Sequence, residues 1–314
     1  MTDLAPYIKL SEEVRSARRM GNAIVALEST VITHGLPRPK NLALALELEA
    51  IVREEGAYPA TIGLLDGRVM VGMESDELEK LAKDESAIKL SSRDLGGAIA
   101  GSKSGGTTVA GTLRIAAQAG LRVFATGGLG GVHRGSNWDV SADLGELAKQ
   151  PVIVVCAGAK SILDLPATLE KLETLAVPVI GYRTLDFPAF YSAKSGLKLN
   201  GKVEGPLEAV ELAKSHWQLG GQGVVIAQPP PKESAVSRKD MEAWTKQALD
   251  EAEKEGISGQ ESTPFLLKRV SELSDGQSLE ANLALLKKNA KLAAKIAQGM
   301  QPQVKHTGLI PRNA

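Results

Sequence analysis

Cysteine is almost absent from this chain of 314 residues: Cys156 stands alone, so no internal disulfide can form and a reducing compartment is expected. Net charge is absent as well. Lys plus Arg and Asp plus Glu each total 37, which argues against a polyanion-binding surface and against nucleic acid as a partner. A local basic pocket stays possible. No apolar run approaches the roughly 20 residues that span a bilayer, so no membrane partner is expected. The first residues lack the apolar core of a signal peptide, and Asp3, Glu12 and Glu13 are acids that a transit peptide avoids. The cytosol is the expected location. The sequence also has no Cys or His cluster with zinc spacing, no Gly-Lys-Ser/Thr closing a phosphate loop and no internal repeat.

What is present is an ordinary globular composition, 43% apolar and 24% charged. The short apolar run Val25 to Leu27 reads as a buried strand with Glu28 at its exit. Asn41 to Glu55 has helical periodicity through Leu42, Leu46, Glu49 and Val52, with Gly56 as its stop. Thr61 to Leu65 and Arg68 to Val71 flank Asp66-Gly67, a hairpin signal, and a short helix follows Ser75. From Thr107 onward helices and strands alternate. Helices are expected at Thr107 to Ala119, Ser141 to Ala148, Thr168 to Leu175 and Leu207 to Leu219. Strands are expected at Leu121 to Thr126, Val152 to Cys156, Val179 to Tyr182 and Val224 to Ala227. Pro229-Pro230-Pro231 ends the series, and three helices follow (Arg238 to Glu255, Pro264 to Leu273, Leu279 to Ala297). The alternation predicts an α/β fold, a three-layer α/β/α arrangement with a mainly parallel central sheet and a helical C-terminal layer. Residues 1–300 are expected to form a single domain and 301–314 a mobile tail.

Five segments carry residues suited to chemistry. Glu28 follows a buried strand, where partial desolvation suits a carboxyl to general acid work; a strand-edge salt bridge is the competing reading. Gly105-Gly106-Thr107-Thr108 opens a helix whose free N–H groups make a natural phosphate seat, or a plain cap. Thr126 to Gly135 places Gly127, Gly128, Gly130 and Gly131 at a strand exit beside the pair His133-Arg134, where α/β sheets put ligands. With His133 at the last motif position it is no dinucleotide fingerprint. Asp139 and Asp143, if both lie at one helix start, offer oxygen to a hard cation such as Mg²⁺ or Mn²⁺, or merely cap the helix. Lys160 follows the strand ending at Cys156 and a run of small residues. A desolvated amine there is a nucleophile toward carbonyl-like carbon, or else a partner for a substrate phosphate. Cys156 itself falls inside the strand and reads as packing.

These segments together resemble the pseudouridine-5'-phosphate glycosidase family, also called indigoidine synthase A-like proteins. The resemblance runs from about Tyr7 to about Ala297. It rests on ALESTVITHGLP, PATIGLLDG, GGTTVAGTL, FATGGLGGVHRG, SADL, VVCAGAKSILDL, FPAFY, ESTPFLLKRV and SLEANLALLKKNAKLA. It implies an α/β/α fold, a divalent metal (usually manganese) and a homotrimer. Carried over by motif, Glu28 matches the proton donor and Lys160 the covalent nucleophile. Lys89, Val109 and the stretch Ser141, Ala142, Asp143 match substrate contacts, and Asp139 matches the metal ligand. His133 and Asn289 fall in motifs assigned to the substrate site. The implied reaction is reversible cleavage of the C–C glycosidic bond of pseudouridine 5'-phosphate to ribose 5-phosphate and uracil. Lys160 forms an imine at C1′ after the furanose opens, Glu28 protonates the ring oxygen, and the imine serves as electron sink for the loss or addition of uracil.

The sequence departs from the family's pattern in three places. The loop from Arg134 to Asp139 is about two residues shorter than expected, Ser92-Arg93-Asp94 replaces Arg-Arg-Asp, and the three prolines at 229–231 replace a more varied stretch. The short loop bears on the metal assignment, because its length sets where Asp139 reaches. The alternatives are a related C-nucleoside phosphate lyase and a non-catalytic nucleotide-phosphate sensor; the presence of both Glu28 and Lys160 disfavours the sensor.

Overall fold

The computed structural model of the chain describes residues 4–135, 138–257 and 262–301. The described strands are β1 (Ile8–Leu10), β2 (Ile24–Leu27), β3 (Tyr58–Leu65), β4 (Arg68–Val71), β5 (Ile88–Leu90), β6 (Gly105–Thr107) and β7 (Val123–Ala125). They continue with β8 (Val132–His133), β9 (Ile153–Cys156), β10 (Leu163–Asp164), β11 (Val179–Tyr182), β12 (Lys202–Val203) and β13 (Val224–Ala227). Eleven of them form one sheet in the order β1-β4-β3-β2-β7-β9-β13-β11-β12, with β6 joined to β3 and β5 to β6. Only the β3–β4 and β3–β6 pairs are antiparallel. β8 and β10 form a separate antiparallel ribbon. The β3–β4 hairpin turns on Asp66 (φ 49°) and Gly67 (φ 76°), two positive φ values in succession, as a tight hairpin turn requires and an Asp-Gly pair allows.

The first helices are α1 (Glu12–Met20), α2 (Lys40–Glu54), α3 (Ser75–Lys83), α4 (Leu95–Ala100), α5 (Val109–Gln118) and α6 (Ala142–Leu147). They are followed by α7 (Leu165–Thr174), α8 (Pro206–Gln218), α9 (Arg238–Lys254), α10 (Ser262–Leu273) and α11 (Gln277–Gly299). Side chains alternate across a strand, and here both faces are buried. Val25, Leu27, Val123, Ala125, Ile153, Val155, Val224 and Ile226 pack toward α2, α8 and α11. Ile24, Ala26, Phe124, Val154, Cys156 and Val225 pack toward α1, α5 and α6. This double burial is why the central strands read as unbroken apolar runs. It also makes Cys156 a packing residue, with its thiol pushed up to about 12 by burial. The long helix α11 crosses β2, β7 and β9 and braces α2 and α8. No described helix is long and apolar enough to cross a membrane.

The expected three-layer, mainly parallel α/β arrangement is therefore present. Three details differ. Helix α5 begins two residues later than expected, because Thr107 pairs with Leu90 in the sheet and Thr108 caps the helix with its hydroxyl. The buried face of α2 is Asn41, Leu44, Ala45, Leu48, Glu49 and Val52, while Leu46 is exposed; leucines at 42, 44, 46 and 48 put apolar side chains on more than one face and blur the periodicity. Strands β1, β5, β6, β8, β10 and β12 and helices α1 and α4 went unpredicted. Apart from Gln301, the tail expected at 301–314 lies outside the described residues.

Candidate active site

The C-terminal ends of β2, β5, β6, β7 and β9 deliver chain to one cavity of about 410 Å³, where parallel sheets commonly hold ligands. Glu28, Lys89, Val109, His133, Asp139, Ser141, Ala142, Asp143 and Lys160 all line it. Of the residues expected at the site, only Asn289 does not.

Glu28 leaves the end of β2 and accepts a hydrogen bond from the Thr126 hydroxyl at the end of β7. Burial pushes its carboxyl above the ordinary range, opposed by the positive charge of Lys160 and by the Thr126 bond. A carboxyl so placed holds a proton further toward neutral pH than an exposed one, which general acid work requires. Lys89 is held below the usual amine range, first by burial and then by the charge of Lys160. Lys160 reaches the cavity because Gly158 adopts φ +82°; a Cβ there would strike the Pro188 carbonyl. The Lys160 amide then donates to Leu129 O at 3.0 Å, and Arg134 braces the following loop by donating to Leu163 O at 3.1 Å and Ser161 O at 3.2 Å. Arg134 thus buttresses the lysine loop and lies outside the cavity lining.

Asp143 is buried, and its two oxygens accept the backbone N–H groups of Ala110 (2.9 Å) and Gly130 (2.8 Å). The N–H of Gly111 goes to the Thr108 hydroxyl. The start of α5, read from sequence as a phosphate seat, therefore already holds a carboxylate of the protein itself. The neighbouring glycine has a steric reason: a Cβ at Gly130 would collide with Ser141 Oγ.

Asp139 stands at the cavity wall, its side chain 42% exposed, with Oδ2 3.8 Å from His133 Nδ1. The His133 imidazole is pushed below its ordinary range by burial, against the pull of Asp139. Among the described residues no three His, Cys, Asp or Glu side chains are grouped to hold a metal ion. Asp143 is committed to two N–H groups, so the carboxylate pair considered from sequence reduces to Asp139. One carboxylate with retained waters and substrate oxygens is a donor set that suits a hard divalent ion.

Asn289 is buried behind the cavity, donating to the Thr126 carbonyl at 2.9 Å and accepting from Gln228 at 3.1 Å. The asparagine that does line the cavity is Asn282, about two turns earlier on α11. Sequence reasoning also passed over His34, Arg93 and Phe190. His34 belongs to a single π-helical turn, Val31–Gly35, just after Glu28; such turns often sit at functional sites. Phe190 has φ 59°, an unusual conformation for a bulky residue, and its ring lies where a Cβ on Gly128 would go. Both lie in motifs that the family resemblance already contained.

The profile of the family described as indigoidine synthase A-like protein matches residues 13–299. The chain belongs to that family. A Herpetosiphon aurantiacus protein named pseudouridine-5'-phosphate glycosidase is 53% identical over 291 residues, covering 92% of this chain and 96% of its own. A Staphylococcus aureus protein of the same name is 50% identical over 301 residues, 95% of this chain and 98% of its own. Among solved structures, an indigoidine synthase A-like protein from Thermotoga maritima superposes with a TM-score of 0.86 at 36% identity, covering 95% of this chain and 98% of that one. The prealnumycin C-glycosynthase AlnA, solved with ribulose 5-phosphate, gives 0.87 at 37% identity over 94% of this chain and 97% of its own.

Proposed function

We propose that the protein is an enzyme, a pseudouridine-5'-phosphate glycosidase that reversibly cleaves the C–C bond between C1′ of ribose 5-phosphate and C5 of uracil. The observation that carries this reading is the meeting of Lys160, Glu28 and Lys89 in one cavity, within a fold whose roughly 50% identical relatives bear that name over nearly their whole length. The phosphosugar in the AlnA structure supports the same class of substrate.

A carbon leaving group cannot be released by protonating an exocyclic heteroatom, so the usual pair of carboxylates working on an oxocarbenium ion is ill suited. In the proposed reaction the Lys160 amine bonds to C1′ while the C1′–O4′ bond breaks, and Glu28 gives its proton to O4′. The secondary ammonium so formed gives a proton back to the Glu28 carboxylate. The freed nitrogen lone pair forms C1′=N as the C1′–C5 bond breaks, and the electrons of that bond stay with the base, whose C5 takes the proton from Glu28. Water hydrolyses the imine, releasing ribose 5-phosphate and regenerating the lysine. Lys89 contributes positive charge for the substrate's phosphate, beside Arg93 and Ser91. Asp139 would hold a divalent ion, Mn²⁺ preferred, which supplies positive charge to substrate oxygens. The protein would act as a homotrimer in the cytoplasm.

The test is release of uracil from pseudouridine 5'-phosphate by the purified protein, with and without Mn²⁺. Uracil and ribose 5-phosphate in equal amounts are expected. Absence of uracil in the presence of Mn²⁺ would refute the assignment. AlnA, named a C-glycosynthase, favours one second reading, C-glycoside chemistry on a different acceptor, and substrate panels separate the two.

A further inference from the structure

Behind the cavity lies a buried polar network that the reaction as written does not use. Gln228, at the exit of β13, donates from Nε2 to Asn289 Oδ1 and to Lys288 O, both at 3.1 Å. Asn289 in turn donates from Nδ2 to the Thr126 carbonyl at 2.9 Å. The Thr126 hydroxyl then donates to Glu28 Oε1. Asn289 and Thr126 are each 1% exposed and Gln228 4%. Buried polar side chains are tolerated when their bonds are met, and a satisfied network fixes its members to one geometry. Here it ties together the ends of β2, β7 and β13 and helix α11. Of these side chains, only Glu28 lines the cavity.

We propose that Asn289 and Thr126 are the positioning residues of Glu28. Asn289 fixes the backbone of Thr126, and the Thr126 hydroxyl fixes Oε1 of Glu28, which leaves Oε2 as the oxygen that carries the acid proton. The inference rests on Glu28 being the acid of the proposed reaction. It also accounts for an asparagine in the site motif that stays away from the cavity.

A residue acting through Glu28 changes turnover and its pH dependence; one that touches substrate changes KM. The Thr126 bond stabilises the ionised carboxylate. Its loss therefore lets Glu28 keep its proton to higher pH, and the alkaline limb of kcat moves upward. The experiment measures kcat, KM and the pH profile of uracil release for Thr126→Val, Thr126→Ser, Asn289→Leu and Glu28→Gln. Thr126→Val should lower kcat about tenfold or more through misplacement of the acid, move the alkaline limb upward and leave KM within about twofold. Thr126→Ser keeps the hydroxyl and should recover kcat to within about threefold of wild type. Asn289→Leu should lower kcat without raising KM; if it is not recovered folded, the isosteric Thr126→Val decides alone. A wild-type kcat and pH profile in Thr126→Val, or a raised KM with unchanged kcat in either variant, overturns the positioning role. Full activity in Glu28→Gln removes the acid assignment itself, a different result from an inactive Glu28→Gln with an unaltered Thr126→Val.

Discussion

The carboxylate of Asp143 accepts the backbone N–H of Ala110 at 2.9 Å and so occupies the start of α5 from within the protein. Its second oxygen takes the N–H of Gly130, so one side chain joins the glycine-rich turn after β7 to the helix after β6. Asp143 positions cavity walls, and its removal should be felt in both folding and turnover. Asp143→Asn presents an NH₂ to one of the two N–H donors and leaves that donor unmet. A stability loss of about 1–3 kcal/mol is expected by urea unfolding, with a fall in kcat/KM for uracil release. Unchanged stability and turnover would contradict the bridging role.

Glu28 supplies a test by pH. Its folded value lies above the ordinary 4.5 because burial disfavours the charge. A raised value contributes stability that is fully present below the unfolded value and is lost as pH rises through the folded one. Glu28→Gln removes that loss. Its Tm relative to wild type should therefore rise as pH climbs above about 4.5, while uracil release disappears. A Tm difference that does not vary with pH would mean that Glu28 is not desolvated in the folded protein.

Chelation tests the ion. Exhaustive EDTA treatment should abolish turnover, Mn²⁺ should restore it best and Mg²⁺ less well, as oxygen donors without soft ligands suggest. Asp139→Asn should need far more Mn²⁺ for the same rate. Full activity after chelation would remove the ion from the reaction.

Assembly is tested by light scattering at micromolar concentration, where three times the chain mass of 33.1 kDa is expected. A monomeric mass would refute the trimer.

Much of this arrangement was legible in the residues. Val224–Ala227 begins and ends where its apolar run does, because a strand buried on both faces carries an uninterrupted signal. Glu28 and Lys160 were visible for the opposite reason, as charges at the ends of such runs. Strand β6 was not legible: Gly105-Gly106-Thr107 has little strand preference and exists as one because β3 and β5 flank it. The small residue is required there, since a Cβ at Gly106 would meet the Ser29 carbonyl at 2.7 Å. Nor could the sequence tell that Asp143, from 33 residues away, would fill the start of α5. Asn282 and Asn289 illustrate the limit most clearly. They recur on one helix at about the same angle, and only the packing of α11 against Thr126 and Gln228 decides which faces the cavity.

The most direct measurement is reductive trapping. Borohydride added while the enzyme turns over pseudouridine 5'-phosphate should reduce the imine and leave a ribose 5-phosphate adduct on Lys160, located by peptide mapping. Lys160→Ala should form no adduct and release no uracil, yet still bind the substrate phosphate through Lys89. An adduct on Lys89, or near wild-type turnover by Lys160→Ala, would contradict the covalent role of Lys160.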